Sequence, residues 1–377
     1  MKVLHVIPSI SAWRGGPSQT IRLLGQGLIN AGIDVHVATT DDDGVGRDLR
    51  RSSEPDFQGG TLWRFSRQFR PYTLSRPLSR WVERHIEEFD LVHIHSLFSY
   101  PTTACAHWAR KRRIPYVVRP LGSLTRSRAA HGRRFLRALS VQAVEGHILS
   151  GARWVHYASD FERSEAAWLN FATRSRVIPN PVAEQASVPT AKDNEQTILF
   201  LSRLDPIKGL DLLLAAFAGI RKRFARAKLV IAGAGASKFV AWARAESRRL
   251  NIQSHVSWVG FVEGDQKEKL FRQADLFVLP SYSESFGMAV AEALSYGVPV
   301  LVSNRVGLSP LIANYEAGLV SACDAKDLEE RIASVLGDDI SLRSMGENGR
   351  RLVKSELSIS SVASQLKQEY VRTIAST

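Results

Sequence analysis

Short apolar runs recur along the chain, and their residue types predict the elements they form. Val3-Leu-His-Val-Ile7, Asp34-Val-His-Val-Ala38, Leu91-Val-His-Ile94, Pro115-Tyr-Val-Val118 and Trp154-Val-His-Tyr157 are brief and rich in β-branched or aromatic residues, the signature of buried strands. Helical spacing separates several of them, around Ile21 to Leu28 and Leu139 to Leu149. A second series comprises Thr197-Ile-Leu-Phe-Leu201, Leu229-Val-Ile-Ala232, Val256-Ser-Trp-Val259, Leu276-Phe-Val-Leu279 and Val298-Pro-Val-Leu-Val302. Strands alternating with helices predict parallel sheets with crossover connections, so the fold class is α/β with two Rossmann-like domains. The segment 181–194, rich in Pro and small polar residues, separates the two series. It sets a first domain at 1–185 and a second at 195–357, followed by a helical pattern from Ser358 to Ile374.

Composition narrows the class. A chain of 377 residues, 44% hydrophobic and 23% charged, has the length and balance for two globular domains. Cys105 and Cys323 form no CxxC or Cys/His cluster, which argues against a disulfide framework or a zinc site and suits a reducing cytoplasm. The apolar run at the N-terminus is short and stops at Pro8, so it predicts a strand, not a signal peptide. No run approaches the ~18 apolar residues of a membrane span. The expectation is a cytoplasmic protein, free or peripheral at the inner membrane face.

Charge is unevenly placed. Of the net +13, residues 1–180 carry +11, from 26 Lys and Arg against 15 Asp and Glu. Arginines cluster at Arg64, Arg67, Arg70, Arg76, Arg80 and Arg84, at Arg110 to Arg113, and from Arg126 to Arg137. Such runs attract polyanions or an anionic membrane surface, or form a solvated face. Trp63, Phe65, Phe69 and Tyr72 interleave with the arginines, yet zinc-finger spacing, an RNP-like string and a heptad-bearing basic helix are all missing, so nucleic acid is not the expected partner.

The densest chemistry lies in Glu284-Ser-Phe-Gly-Met-Ala-Val-Ala-Glu292. The run Asp275 to Pro280 predicts a strand, Ser281 to Glu284 a loop, and Gly287 onward a helix broken at Gly297. The amides of Phe286, Gly287 and Met288 at the helix start would face an anion. Glu292 and Glu284 offer acceptors to vicinal sugar hydroxyls. Two glutamates alone read first as a solvated loop residue and a surface helix residue. Arg203 and Lys208 follow the first strand of the second series, where open α/β sheets bind ligands, and could clamp a diphosphate or simply be surface charges. Gly15-Gly16 follows the first strand without a G-x-G-x-x-G fingerprint, and Gly233-Ala-Gly235 is a lone G-x-G. Asp41-Asp-Asp43 offers a D-x-D triplet in a loop.

Glu-x7-Glu enclosing Ser-Phe-Gly, together with Arg203 and Lys208-Gly209, resembles the signature of retaining glycosyltransferase family 4, of GT-B fold, two Rossmann-like domains facing across a cleft. That resemblance implies a nucleotide-diphosphate-sugar donor, with Arg203, Lys208 and Glu284 in catalytic roles. Arg203, Lys208 and the Phe286, Gly287 and Met288 amides would stabilise the departing diphosphate, Glu292 would hold the ribose and Glu284 the transferred sugar. Gly15 and Gly16 would face the donor diphosphate, and Val256 to Phe261 would line the base pocket. It also implies no metal and no other cofactor, and a last helix, 358–377, that completes the first domain. Ile178-Pro-Asn-Pro-Val182 resembles the hinge motif Pro-Asn-Gly with Pro181 in place of Gly. Where well-understood relatives carry a His, this chain has Arg119-Pro-Leu-Gly-Ser123, similar to members that build cell-surface polysaccharides. Arg119, and His95 if it faces the cleft, would then contact the donor sugar or the acceptor, a saccharide or lipid-linked intermediate. A sugar-nucleotide epimerase, a phosphorylase, a silent subunit of a glycosylation complex and a nucleic-acid binder are the rival readings.

Overall fold

The computed structural model describes residues 1–11, 15–42, 59–125, 144–169, 174–186 and 195–376. The chain divides into two compact units, Met1–Pro181 with Ile359–Thr377, and Val182–Ser358. The division therefore falls at the head of the Pro-rich segment, and the last helix is part of the first unit.

In the first unit the strands are β1 (Lys2–Val6), β2 (Asp34–Thr40), β3 (Thr61–Phe65), β4 (Leu91–His95), β5 (Tyr116–Arg119), β6 (Val155–Tyr157) and β7 (Ser175–Val177). They form one parallel sheet in the order β3-β2-β1-β4-β5-β6-β7. Alternation along a strand feeds two cores. Leu4 and Val6 join Leu78, Val82, Ile94 and Val118 on one face. Val3 joins Val35, Val37, Ile21, Leu24 and Leu28 on the other, where Val362, Leu366 and Tyr370 of the last helix, Ile359–Ala375, complete the cluster. Gly27 permits this closure, because a Cβ there would lie 2.8 Å from Ala363 and Ile359. Trp154 Nε1 donates to Thr373 Oγ1 at 2.9 Å and pins the C-terminal end of that helix.

The second unit repeats the scheme with β8 (Gln196–Leu201), β9 (Ala227–Ala232), β10 (Val256–Gly260), β11 (Leu276–Leu279), β12 (Val300–Ser303) and β13 (Gly318–Ser321), in the order β10-β9-β8-β11-β12-β13. Both orders reverse beside the first strand of the unit, at β1/β4 and at β8/β11. Those are the switch points where loops part and leave a crevice beyond the strand ends.

The apolar runs predicted ten of these strands. β3, β7 and β13 went unread: β3 is an edge strand with Trp63 and Arg64 exposed, β7 is three residues long, and β13 begins at a Gly and is half-buried over most of its length. The predicted helix from Leu139 is described only in its later part, as Gly146–Gly151.

Leu366→Ala should destabilise the first unit by about 3 kcal/mol, since a fully buried Leu is replaced by a cavity. Urea unfolding would show this as an earlier transition for that unit, with the transition of Val182–Ser358 unchanged.

Candidate active site

Loops after β8 and β11 meet at the switch point of the second unit. The β8 loop begins with Arg203, exposed and 3.7 Å from Asp205. Asp205 caps the turn Pro206–Lys208 by accepting from the Ile207 amide at 3.1 Å. Lys208-Gly209 then presses on the β11 loop: Gly209 has φ 70°, and a Cβ there would sit 2.0 Å from the Pro280 carbonyl oxygen. Only glycine satisfies both the left-handed backbone and the contact. The Tyr282 amide donates to the Ile207 carbonyl at 2.8 Å, tying the two loops together. The result is an ion pair between Lys208 Nζ and Glu284 Oε2, groups 76 residues apart in the chain.

Glu284 is held from its other side. Its amide donates to the Arg305 carbonyl at 2.9 Å and its carbonyl accepts from Gly307 at 2.8 Å, a parallel bridge to the loop after β12. Phe286, buried, continues the bridge through its carbonyl and the Leu308 amide at 3.2 Å. Gly287 caps the helix Met288–Ser295 with φ 103°, a backbone conformation that admits little but glycine. Phe286, Gly287 and Met288 thus stand at the positive end of a helix dipole beside the Lys208–Glu284 pair. Glu292 lies one turn further on and is buried. Its Oε1 accepts from Lys267 Nζ at 2.5 Å, from the helix Gly264–Gln273. Sequence reasoning missed Lys267, since no spacing ties it to Glu292 and only the packing of the two helices brings them together. Tyr282, whose hydroxyl donates to Asp211 at 2.6 Å, was missed for the same reason; burial, then that bond, raises its phenol pKa.

The remaining predicted residues belong to the first unit. Gly15, φ 66°, caps the helix Gly16–Asn30, and its carbonyl accepts from the Ser18 and Gln19 amides at 3.1 and 3.3 Å. Just past β4, Ser96 and Phe98 hold positive φ of 74° and 58°, costing on the order of 1 to 3 kcal/mol each. Arg119 is almost wholly buried at the end of β5, bonded through Nη2 to Asn180 Oδ1, with Glu162 offsetting part of its charge. His95 is also buried, its Nε2 2.9 Å from His5 Nδ1.

His95 packs among four buried histidines, its ring 4.2 Å from that of His93 between centroids, and they bond in two pairs. His156 Nε2 donates to the Ile178 carbonyl at 2.8 Å, so its Nδ1 accepts from His93 Nε2 at 3.4 Å. His93 Nδ1 in turn accepts from the Tyr370 hydroxyl at 2.6 Å. Among the described residues His5, His93 and His95 bring ring nitrogens within 4.8 Å of one another, a spacing that metal ions use. The adjacent Arg119 charge opposes a dication there, and the mutual bonds fit a neutral network. Elsewhere, Asp41 accepts from the Arg67 amide at 2.6 Å and Asp42 pairs with the Arg67 side chain, so these two carboxylates order a loop. Asp43 and the cluster from Arg126 to Arg137 lie outside the described residues.

Two doubly wound parallel sheets, the second with a basic and acidic cluster at its switch point, define the GT-B class of fold. Residues 182–352 match the family model for glycosyl transferases group 1, and residues 15–181 match that for the glycosyl transferase 4-like domain. The chain belongs to this group of glycosyltransferases, family 4. D-inositol 3-phosphate glycosyltransferase of Segniliparus rotundus is 33% identical over 159 residues, 41% of this chain and 35% of the relative. The chain spans about a third of the length of the curated relatives it matches. Among solved structures, sucrose-phosphate synthase from Thermosynechococcus elongatus superposes with a TM-score of 0.78 at 23% identity over 100% of both chains. HepE of Anabaena, in complex with UDP and glucose, gives 0.73 at 17% identity over 98% of this chain and 99% of that one.

The buried histidines predict a pH dependence. Burial first, then Arg119, lowers the His5 pKa from 6.5 to about 3, and burial likewise holds His93, His95 and His156 well below the ordinary value. Their unfolded forms take up protons below about 6.5, while the folded forms do not. Stability is therefore fully present above that pH and is lost as pH falls toward 3. Between pH 7 and 5 each such histidine should cost about 1 to 2 kcal/mol. Urea unfolding of the first unit at the two pH values measures this, and equal midpoints would mean the histidines take up protons in the folded state as readily as in the unfolded one.

Proposed function

We propose that the chain transfers a sugar from a nucleotide-diphosphate donor to an acceptor hydroxyl, with retention of the anomeric configuration. The second unit holds the donor and the basic first unit the acceptor, a saccharide or lipid-linked intermediate, at the cytoplasmic side of the cell. The observation that carries the reading is the convergence of Lys208, Glu284 and the Met288–Ser295 helix start on one switch point, with Glu292 a turn beyond. A diphosphate there meets a point charge, a nearby arginine fork and aligned amides, the countercharge a leaving phosphate needs without a metal ion. As the anomeric carbon parts from the phosphate oxygen, the acceptor oxygen bonds to the same face. The leaving phosphate takes the acceptor proton. Lys267 holds one oxygen of Glu292 and so orients the carboxylate, an acceptor-only group suited to a ribose diol.

Lys208→Ala and Glu284→Ala should each lower kcat by about 100- to 1,000-fold while the fold persists. Donor turnover by coupled nucleotide release measures it, and near-normal turnover in both would sink the assignment. NMR of the product anomer tests retention. Lys267→Met should raise KM for the donor about tenfold with kcat little changed, an effect on ground-state binding. Its measurement is the donor-concentration dependence of the same assay.

A further inference from the structure

Among the described residues, every buried side-chain nitrogen that lacks a hydrogen-bond partner belongs to Arg119 or His5. Arg119 is 1% exposed, and its Nη2 bonds to Asn180 Oδ1 while Nε and Nη1 meet no acceptor. His5 Nε2, equally buried, is also without a partner. Its other nitrogen, Nδ1, lies 2.9 Å from His95 Nε2. With His95 as donor, His5 carries its proton on Nε2, so all three orphaned atoms are N–H donors.

The two side chains share one face of the sheet. His5 on β1 is in register with His93 on β4, and His95, two residues further, is in register with Arg119 on β5. The rings of His5, His93 and His95 bring nitrogens within 4.8 Å of one another, and the guanidinium is near enough to help lower the pKa of His5 and of His95. Among the described residues no carboxylate lies within ion-pair distance of Arg119. Glu162, which offsets part of its charge, turns its two oxygens to backbone amides, accepting from Gly122 at 2.5 Å and from Ala158 at 2.7 Å. A buried cation thus stands among neutral rings with two of its own N–H bonds unmade, one of the costlier arrangements a core can hold.

We propose that Arg119 Nε and Nη1, together with His5 Nε2, hold a chloride ion inside the first unit. The same charge that opposes a metal ion among these histidines attracts an anion. Three donors and no acceptor call for a ligand that only accepts, and charge-assisted bonds favour one that is ionised. A water molecule offers two lone pairs and no charge. Closure from solvent limits the ligand to a bare ion, since the sheet and its covering helices could not enclose a sugar, a nucleotide or a phosphate ester. The ion balances the guanidinium, so the stability of the first unit depends on chloride. This site lies outside the sugar transfer proposed above and is measured without donor or acceptor.

The experiment is urea unfolding of the full chain at constant ionic strength, with chloride progressively replacing gluconate. The transition of the first unit should move to higher urea. Its folded-to-unfolded ratio should rise about tenfold for each tenfold rise in chloride once the site is filled. The transition of Val182–Ser358 should stay in place, and bromide should substitute for chloride. Arg119→Met should lose the chloride response, and His5→Phe, which keeps the guanidinium, should weaken the apparent chloride affinity about tenfold. Should Arg119→Met not fold, His5→Phe alone is the test. Equal first-unit midpoints in chloride and gluconate overturn the proposal, the result expected if only water fills the site. A chloride response unchanged in either variant overturns it as well, as does one shared equally by both units, the mark of a general salt effect.

Discussion

The pairing of β8 with β11 is the constraint on which the second unit's site depends. These strands are distant in sequence, but the register Ile198 to Leu276 sets their carboxyl ends side by side. Their loops must then share one small volume. Gly209 solves the crowding by offering no side chain where the Pro280 carbonyl sits, and the same close approach brings Lys208 within reach of Glu284. A larger residue at 209 would push the loops apart and separate those charges, with no change to either charged side chain. The glycine therefore acts on chemistry through geometry.

That constraint explains what could be read before the fold was known. Apolar runs marked the central strands because both faces of a parallel sheet are buried, and burial leaves a compositional trace. The edge strands β3 and β7 and the half-buried β13 carried no such trace. Within the site, Arg203, Lys208, Glu284 and Glu292 were legible because they lie in short local motifs beside a strand end or a helix start. Lys267 and the Arg305 to Gly307 segment were not, because their contribution is a contact between distant elements. The loop after β12 shapes Glu284 wholly through its backbone, and backbone hydrogen bonds leave no signature in side-chain identity.

The first unit shows a different economy of polar groups. Four histidines in a parallel sheet core look costly, yet burial favours the neutral form of each; His5 and His95 bond to one another, and the His156–His93 pair ends on Tyr370 of the closing helix. Hydrogen bonds that join a core strand to the chain's last helix supply directional specificity that apolar packing lacks. Arg119 is the exception, a guanidinium buried beside these neutral rings with only partial compensation from Glu162. Losing its partner Asn180 would leave that charge worse solvated, so the two residues form a structural unit whatever else Arg119 contacts.

Under the proposed mechanism Arg203 and Lys208 would divide the cationic work by their surroundings. Lys208 is mostly buried and paired, so its ammonium is placed by neighbours and acts at a fixed point. Arg203 is exposed and only loosely paired with Asp205, so its long side chain can seek a phosphate over a wider arc and grip it with two donors. Exchanging the two residues would preserve net charge and still lose function under the proposed mechanism. A planar fork would replace the mostly buried ammonium that Glu284 fixes at one point, and an exposed lysine would hold phosphate through a single mobile charge. Charge count in this site is thus a weak descriptor, and the burial of each cation decides what it contributes.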